Sequence, residues 1–481
     1  MSRPENGLVP GLSAVSLVRA AAVRDRLLPI VAVGIVSIAA ADSIVGMGKH
    51  VPKLLVLLLA LAGAAVLLAV ETTQLFLGWL FVAPIFQGSA STSHLGHVLS
   101  LALYSAPPAL LLVKHFTVDG PRPAGKWFDI LPALYLLFLV GSLLFTASGE
   151  LQHGALGTFH GLWENVAIGI VIYYVVAFWR GRGPSFVTIA RVLLVAAALQ
   201  AVMAVIELPT HWNLWHDTGW QRAGGDRSIA TLANPAITGA FIGVGIVIAL
   251  ALLCWGGPLE LRRLAIVMLV VGGPALYATK TRGPIVGTVV AALLVLLPSR
   301  RSRLFGLGAI ALAALTLVVL WPHIRSSSLY QKRIAQSQNV QERLVLQNIS
   351  FKLIERKPIL GWGYDSFDRV KFDVPVSTGT LPYPVALQQT SHDTFLTILV
   401  EYGAVGFILF LLPWIPIVAG GLRCARRPAP DQWLLVAMLA SIVLLVINAA
   451  TLDYRFFSFV PGLTWLALAL LRRRLSAPVL T

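Results

Sequence analysis

Charged residues are scarce in this sequence, at 12% of 481 residues, and it holds only two cysteines. Hydrophobic residues reach 57%, in runs of about twenty, which is the length that crosses a hydrocarbon core. The runs exclude a soluble globular enzyme and predict a polytopic membrane protein. A disulfide is not expected, because Cys254 and Cys424 both fall on the predicted cytoplasmic side. No Walker or dinucleotide-binding motif is present, so nothing indicates a nucleotide cofactor.

The fold class predicted from these runs is all-α, with about 12–14 transmembrane helices in a single membrane domain over residues 1–481. Some of the runs are short for a bilayer, so neighbouring spans can merge or form half-helices. The candidate spans are 27–46, 54–70, 74–87, 98–113, 128–146, 163–179, 187–206, 235–255, 264–279, 284–298, 304–321, 393–419, 431–450 and 457–471.

The formal net charge of +16 first raises the question of nucleic-acid binding. If the amino terminus is cytoplasmic, the basic clusters of alternate loops all fall on the cytoplasmic side, from Arg19 near the start to Arg472–Arg474 at the end. The charge is therefore a topology signal. It predicts cytoplasmic amino and carboxyl termini and no nucleic-acid partner.

Two predicted extracytoplasmic loops are long: a first loop at 207–234 and a main loop at 322–391. Long loops on membrane scaffolds often carry function. Within the main loop, Leu346, Ile349 and Leu353 recur at helical spacing before Pro358, which predicts an amphipathic helix whose apolar face meets lipid or the helical bundle. The Gly-rich stretch after Pro358 predicts a tight irregular turn.

Four arginines of the predicted outer face are candidate phosphate ligands: Arg227, Arg282, Arg325 and Arg343. A guanidinium stays charged and offers a planar fork of donors that matches phosphate oxygens. The alternative for each is a solvated side chain or a local pair with an acid such as Glu342. That alternative is favoured for Arg325, whereas Arg282, beside Gly283 and Pro284 at a helix boundary, is favoured as a site residue.

His392 is the candidate general base. Ser391 is expected to cap the following helix, placing His392 and Asp393 in its first turn, where the helix dipole disfavours a protonated imidazole. A neutral imidazole is a competent base near neutral pH. The alternative is a histidine that only hydrogen-bonds at a wet helix end.

Deeper in the same helix, Glu401 is expected to pair with an arginine or to line a polar path. Gly403 and Gly406 are expected to let another helix approach closely. The outer acids Asp365, Asp368 and Asp373 match no metal-binding pattern, so no metal is predicted and arginine is the expected source of positive charge.

Four segments together resemble the bacterial O-antigen ligase and polymerase family. "SHDTFLTILVEYGAVG" resembles the family signature of a histidine followed by Gly-x-x-Gly, and "ERKPILGWGYDSF" resembles the segment before it. "RSIATLANPAITGAF", with Arg227 and Asn234, and "TKTRGPIVG", with Arg282, are similar to two earlier stretches. The resemblance covers a core region at 225–415. It departs at Asp393, where the family usually has an amide or serine.

The resemblance implies a metal-independent glycosyltransferase in the bacterial plasma membrane, without a cofactor. Such an enzyme moves a glycan from a polyprenyl diphosphate carrier to a hydroxyl of a lipid or glycan acceptor on the outer face. His392 and Arg282 would be catalytic, and Arg227, Arg343, Asn234 and Arg325 would bind substrate. Ligase and polymerase remain open, as do a polyprenyl-glycan flippase and a structural scaffold.

Overall fold

The computed structural model describes residues 70–88, 100–117, 124–145, 154–180, 183–215, 227–298, 303–304, 322, 338–374, 386–454 and 459–476. These residues are all-α and contain no β-strand. Seven of their helices are long and apolar enough to cross a membrane, and two shorter helices are also apolar. The protein is therefore an all-α polytopic membrane protein. The predicted spans 27–46 and 304–321 and nearly all of 54–70 lie outside the described residues, so the total of about 12–14 stays a prediction.

The remaining predicted spans each coincide with helical segments. In chain order the helices are α1 Thr72–Phe86, α2 Ala106–Thr117, α3 Leu131–Phe145, α4 Gly154–Leu162, α5 Ile168–Ala177, α6 Phe186–Thr210, α7 Pro235–Cys254, α8 Leu259–Ala278, α9 Arg282–Leu296, α10 Gln338–Arg356, α11 Phe367–Val370, α12 Thr394–Leu411, α13 Trp414–Ala425, α14 Gln432–Ala449 and α15 Phe459–Ser476. A π-helical turn at Trp163–Ala167 joins α4 to α5, and another at Leu101–Ser105 leads into α2. Helix α6 runs to Thr210, so the first loop begins at residue 211 and not at residue 207 as predicted.

Helix α7 forms the centre of the bundle. It is apolar on all sides and packs against α6, α8, α9 and α14, which is the pattern of a fully buried helix. Its glycines allow this packing: a Cβ at Gly239 would overlap Pro284 of α9, and one at Gly243 would overlap Thr288. Small residues at such contacts let helix backbones approach closely within a membrane. The α7–α9 contact fixes the position of Arg282 at the start of α9.

The end of the bundle away from His392 is held by a buried ion pair. Arg472 of α15 is fully buried and donates to both carboxylate oxygens of Asp129, at 2.7 and 2.6 Å. Tyr173 also donates to Asp129, and Arg472 donates to the carbonyl of Ala124. The sequence pattern treats Arg472 as one of several cytoplasmic surface charges, whereas the structure uses it to tie the last helix to the start of α3.

We expect Asp129→Ala to reduce the free energy of unfolding by about 3–5 kcal/mol, because it leaves the Arg472 guanidinium buried and unpaired. The matched control is Glu260→Ala, which breaks the ion pair with Arg191. Both side chains of that pair are about half exposed, so its loss costs about 0–1 kcal/mol. Chemical denaturation in detergent micelles measures both values. Equal losses for the two variants would contradict the structural role of the buried pair.

Helix α10 is the predicted amphipathic helix. Its apolar residues Leu346, Ile349 and Leu353 are fully buried. With Phe367 and Val400 they form a second hydrophobic core, separate from that of the bundle. The apolar face therefore packs against α12 and the segment that follows α10, and this small core anchors the helix that carries Glu342 and Arg343.

Helix α12 is broken at Gly403, whose φ of 59° and ψ of −164° are not helical. Residues 358–363 lie against the break: Trp362 N–H donates to the carbonyl of Val400, Gly363 N–H to that of Glu401, and Ala404 N–H to that of Pro358. A Cβ on Gly361 would overlap the Glu401 backbone, and one on Gly403 would overlap that of Ile359. The prediction that Gly403 packs against another helix is therefore wrong, because it contacts an irregular segment that needs its backbone freedom.

Gly406 and Glu401 lie on either side of the break in α12. Gly406 does admit a helix, since a Cβ there would lie 3.0 Å from Phe138 Cε1 of α3. Glu401 is fully buried, and its Oε1 accepts the backbone N–H of Phe367 at 3.1 Å. Its carboxylate thus holds α11 against α12.

We expect Gly403→Ala and Gly361→Ala each to destabilise the fold by more than about 2 kcal/mol, since both positions have positive φ and no space for a methyl group. Gly141→Ala in α3 is the control, because no atom lies within 4 Å of the added Cβ. That substitution should be neutral or stabilise the helix by about 0.5–1 kcal/mol. Thermal unfolding in micelles measures these changes. Equal stability of all three variants would contradict the backbone crossing.

Candidate active site

Backbone strain concentrates at one end of the bundle, which we call the His392 end. The non-glycine residues with positive φ in the described part of the chain all lie there, in the connections 211–234, 279–281 and 357–393: His211, Ala230, Ala233, Lys280, Asp365 and His392. Each costs about 1–3 kcal/mol and persists only where its surroundings fix it, an arrangement that often accompanies functional sites. The connections between α6 and α7, α8 and α9, and α14 and α15 meet at this end.

The segment 227–234 is held by two buried side chains. Glu207 of α6 accepts the backbone N–H groups of Ile229 and Ala230 at 2.9 and 2.7 Å. Asn234 is the N-cap of α7, and its side-chain oxygen accepts from the N–H groups of Ala236 and Ile237. The predicted substrate ligand Asn234 therefore has a structural role through its oxygen. Arg227, at the start of this segment, is half-buried at the His392 end.

Arg282 is the first residue of α9, and its side chain is exposed. The next residue, Gly283, lies directly against Thr451 Oγ1 in the connection between α14 and α15. That connection also reaches α12, because Thr394 Oγ1 donates to the carbonyl of Leu452 and accepts the N–H of Tyr454. The 450–454 connection thus links the start of α9 to the start of α12.

Arg343 lies in the first half of α10 with an exposed side chain. The protein around its guanidinium lowers its pKa, and the positive charge of Arg282 lowers it further. Two arginines from separate parts of the chain therefore approach closely enough to repel one another. Glu342 is buried, and its carboxylate accepts from Gln389 Nε2 at 2.6 Å.

His392 precedes the N-cap of α12. The prediction that Ser391 caps α12 is wrong. Helix α12 begins at Thr394, and the Asp393 carboxylate accepts the N–H groups of Phe395 and Leu396 at 2.9 and 3.1 Å. Burial raises the pKa of Asp393, whereas these two hydrogen bonds lower it. His392 therefore lies outside the first turn, in a left-handed conformation with φ of 53°.

The imidazole of His392 is held neutral by its surroundings. Burial lowers its pKa below the ordinary 6.5, and the charge of Arg343 lowers it further, against the opposite effects of Asp453, Glu342 and Asp368. The predicted neutral imidazole agrees with this direction, but the cause is burial and a neighbouring arginine rather than the helix dipole. A neutral ring can accept a proton.

Arg282, Arg343 and His392 are thus brought into one electrostatic cluster by α9, α10 and the segment before α12. Arg227 lies at the same end of the bundle, and Arg325 lies outside the described residues. Sequence patterns missed three further members: Gln389 hydrogen-bonds to His392, Lys371 pairs with Asp368 at 2.7 Å, and buried Asp453 accepts from Ser391 and Thr397. Only the nearness of Gln389 to His392 in "QQTSH" could have indicated one of them.

Two cavities lie near the broken helix α12, and neither is lined by His392, Arg282 or Arg343. One, of about 70 Å³, lies below Thr394 and Phe395 among aromatic side chains. That volume holds a few water molecules. The other, of about 390 Å³, lies between Phe138 of α3 and residues 357–363. Arg282 and Arg343 instead have exposed side chains, and His392 is half-buried.

The fold and this cluster define a class: a polytopic helical membrane protein with a neutral histidine and converging arginines at one end of the bundle. Residues 267–411 match the family described as O-Antigen ligase, which confirms the resemblance to the O-antigen ligase and polymerase family over this segment. The segment contains Arg282, Arg343 and His392, whereas Arg227 and Asn234 lie before it. No curated protein sequence matches the chain. The match supports a membrane glycosyltransferase of the O-antigen ligase or polymerase type.

Proposed function

We propose that the protein transfers a glycan from a polyprenyl diphosphate carrier to a hydroxyl of a lipid or glycan acceptor. The observation that carries this proposal is the position of Arg343, whose guanidinium is acted on by the charge of Arg282 and itself acts on a neutral His392. Two guanidinium groups that repel one another are stabilised when an anion with several oxygens lies between them. A neutral imidazole beside that anion site has the charge state that a general base needs.

The reaction joins the acceptor oxygen to the anomeric carbon of the donor sugar. As that bond forms, the bond between the anomeric carbon and the phosphate oxygen breaks, and the carrier diphosphate leaves with the electron pair. His392 takes the acceptor's proton. Arg282 and Arg343 stabilise the negative charge that develops on the diphosphate, which is where fixed positive groups accelerate such transfers most. The sugar–diphosphate bond supplies the driving force, so no cofactor is required.

Arg227 is proposed as a further donor ligand, because it lies at the same end of the bundle beside the segment held by Glu207. Arg325 keeps the same proposed role from its position in the sequence. Asn234 contributes through the placement of this segment rather than through its side-chain oxygen, which caps α7. The distribution of basic clusters favours a bacterial plasma membrane orientation with both termini cytoplasmic and the His392 end outside.

We expect His392→Ala and Arg282→Ala each to abolish glycan transfer while the protein remains folded in the membrane. Because His392 has positive φ, His392→Asn is a second variant that tolerates the left-handed backbone. Arg262→Ala, an exposed arginine at the other end of α8, is the matched control for Arg282 and should retain activity. Transfer by the His392→Asn protein at the wild-type rate would exclude His392 as the base.

The assay that separates the candidate functions uses vesicles containing the protein and a labelled lipid-diphosphate glycan. Label on a second lipid indicates a ligase, and label in a longer glycan indicates a polymerase. Label that crosses the vesicle membrane on its original carrier indicates a flippase and contradicts the proposed transfer.

The pH profile gives an independent test of the charge arrangement. Since the pKa of His392 is lowered, kcat/KM should stay constant as pH falls and decline only below about 6.5. Arg343→Ala removes a positive charge that opposes protonation, so the pKa of His392 rises and this decline moves to higher pH. Arg356→Ala, exposed at the far end of α10, should leave the midpoint unchanged. A midpoint for Arg343→Ala at or below the wild-type value would contradict the cluster.

A further inference from the structure

Three side chains form a hydrogen-bonded chain that leads to the imidazole. His392 Nε2 lies 3.1 Å from Gln389 Oε1, and Gln389 Nε2 donates to Glu342 Oε2 at 2.6 Å. Glu342 is on α10, whereas Gln389 and His392 lie before α12. The chain therefore connects the helix that carries Arg343 to the proposed base.

The chemistry of these groups determines which atoms face each other. An ionised carboxylate only accepts hydrogen bonds, so the amide NH₂ of Gln389 must face Glu342. Its carbonyl oxygen Oε1 then faces His392, and this oxygen also only accepts. His392 Nε2 must consequently carry a hydrogen. In the neutral ring the unprotonated nitrogen is Nδ1.

Two hydrogen bonds of its backbone also hold Gln389 in place. Its N–H donates to the carbonyl of Ala386 at 3.0 Å, and its own carbonyl accepts from Lys371 Nζ at 2.8 Å. Lys371 is buried and also donates to Asp368 at 2.7 Å. A rotation of Gln389 would break bonds to both Glu342 and His392, so the residue has one preferred orientation.

We propose that Gln389, oriented by Glu342, is a positioning residue that fixes His392 as the Nε2–H tautomer and so makes Nδ1 the atom that accepts the acceptor's proton. This inference rests on the proposed function. In the transfer step Nδ1 takes the hydroxyl proton and the ring becomes a cation, while Nε2–H continues to donate to Gln389 Oε1. The proton later passes to water, which restores the neutral ring.

Gln389→Leu removes the accepting oxygen from beside the imidazole. We expect kcat to fall by about 10-fold to 100-fold, because a base displaced by about 1 Å loses rate of this order, while KM for the donor changes little. Gln388→Leu, the same substitution at the exposed neighbouring residue, should retain the wild-type kcat. A structural defect would instead reduce the amount of folded protein, which size-exclusion chromatography measures.

The double variant Glu342→Gln with Gln389→Glu keeps both hydrogen bonds but moves the carboxylate next to the ring. The groups that face His392 are Arg343 and Glu342 of α10, Asp368 of α11 and Asp453 before α15. An opposite charge in direct contact favours the imidazolium, so the acid decline of kcat/KM should move up by about one pH unit or more. The control Glu355→Gln with Gln388→Glu makes the same exchange at exposed positions and should leave the midpoint in place.

Nitrogen-15 NMR of histidine-labelled protein, assigned by comparison with His392→Asn, tests the tautomer without an activity assay. We expect the unprotonated nitrogen of His392 to be Nδ1, and an unprotonated Nε2 would overturn the inference. The inference is also overturned if His392→Asn is inactive and Gln389→Leu has the same kcat and pH profile as Gln388→Leu. If His392→Asn is itself active, the proposed function fails instead.

Discussion

The crossing of two backbones at Gly361 and Gly403 determines where the parts of the site lie. Helix α10 ends at Arg356, and the residues that follow are hydrogen-bonded across the break in α12. Since α12 carries His392 just before its first turn, this crossing sets the register of α10 against the imidazole. Glu342 and Arg343 reach His392 only because residues 358–363 return to the middle of α12. The second hydrophobic core then fills the space between the two helices.

Arginine side chains have different surroundings at the two ends of the bundle. At the far end, Arg472 has a bidentate carboxylate partner and a backbone carbonyl, so its charge is neutralised within the fold. At the His392 end, both arginine side chains are exposed, and burial of its guanidinium and the charge of Arg282 lower the pKa of Arg343. A fold optimised for stability alone would separate such like charges. The repulsion between like charges makes this end the candidate site, because the proposed diphosphate would offset it.

Regular features of the sequence predicted the regular parts of the structure. Runs of about twenty apolar residues identified the helices, because a spanning helix must cover the hydrocarbon core with apolar side chains. The spacing of Leu346, Ile349 and Leu353 identified α10. Residue type, position and family resemblance indicated Arg282, Arg343 and His392 as candidates, and their roles stay predictions. These signals are local, so they can be read without knowing the tertiary fold.

The errors arose where distant segments decide the local structure. Ser391 and Asp393 are both good cap residues, and Asp393 takes this role while the Ser391 hydroxyl contacts Thr397 and Asp453, the second of which is 62 positions away. The i, i+3 spacing of Gly403 and Gly406 is typical of helix packing, yet Gly403 faces a segment some forty residues earlier. Gln389 belongs to no recognisable motif, and its orientation depends on the hydrogen bond to Glu342 of α10.

The displaced cap also explains how the imidazole of His392 reaches Gln389. A histidine in the first turn of α12 would follow the helical surface, and its ring direction would be set by the helix itself. At φ of 53°, outside the cap, the side chain of His392 is instead directed toward Gln389 in the preceding turn. The strain of about 1–3 kcal/mol is sustained by the Asp393 cap on one side and the Lys371 contact to Gln389 on the other. With Nε2 engaged by Gln389, Nδ1 is the ring nitrogen that the proposed transfer requires as the base.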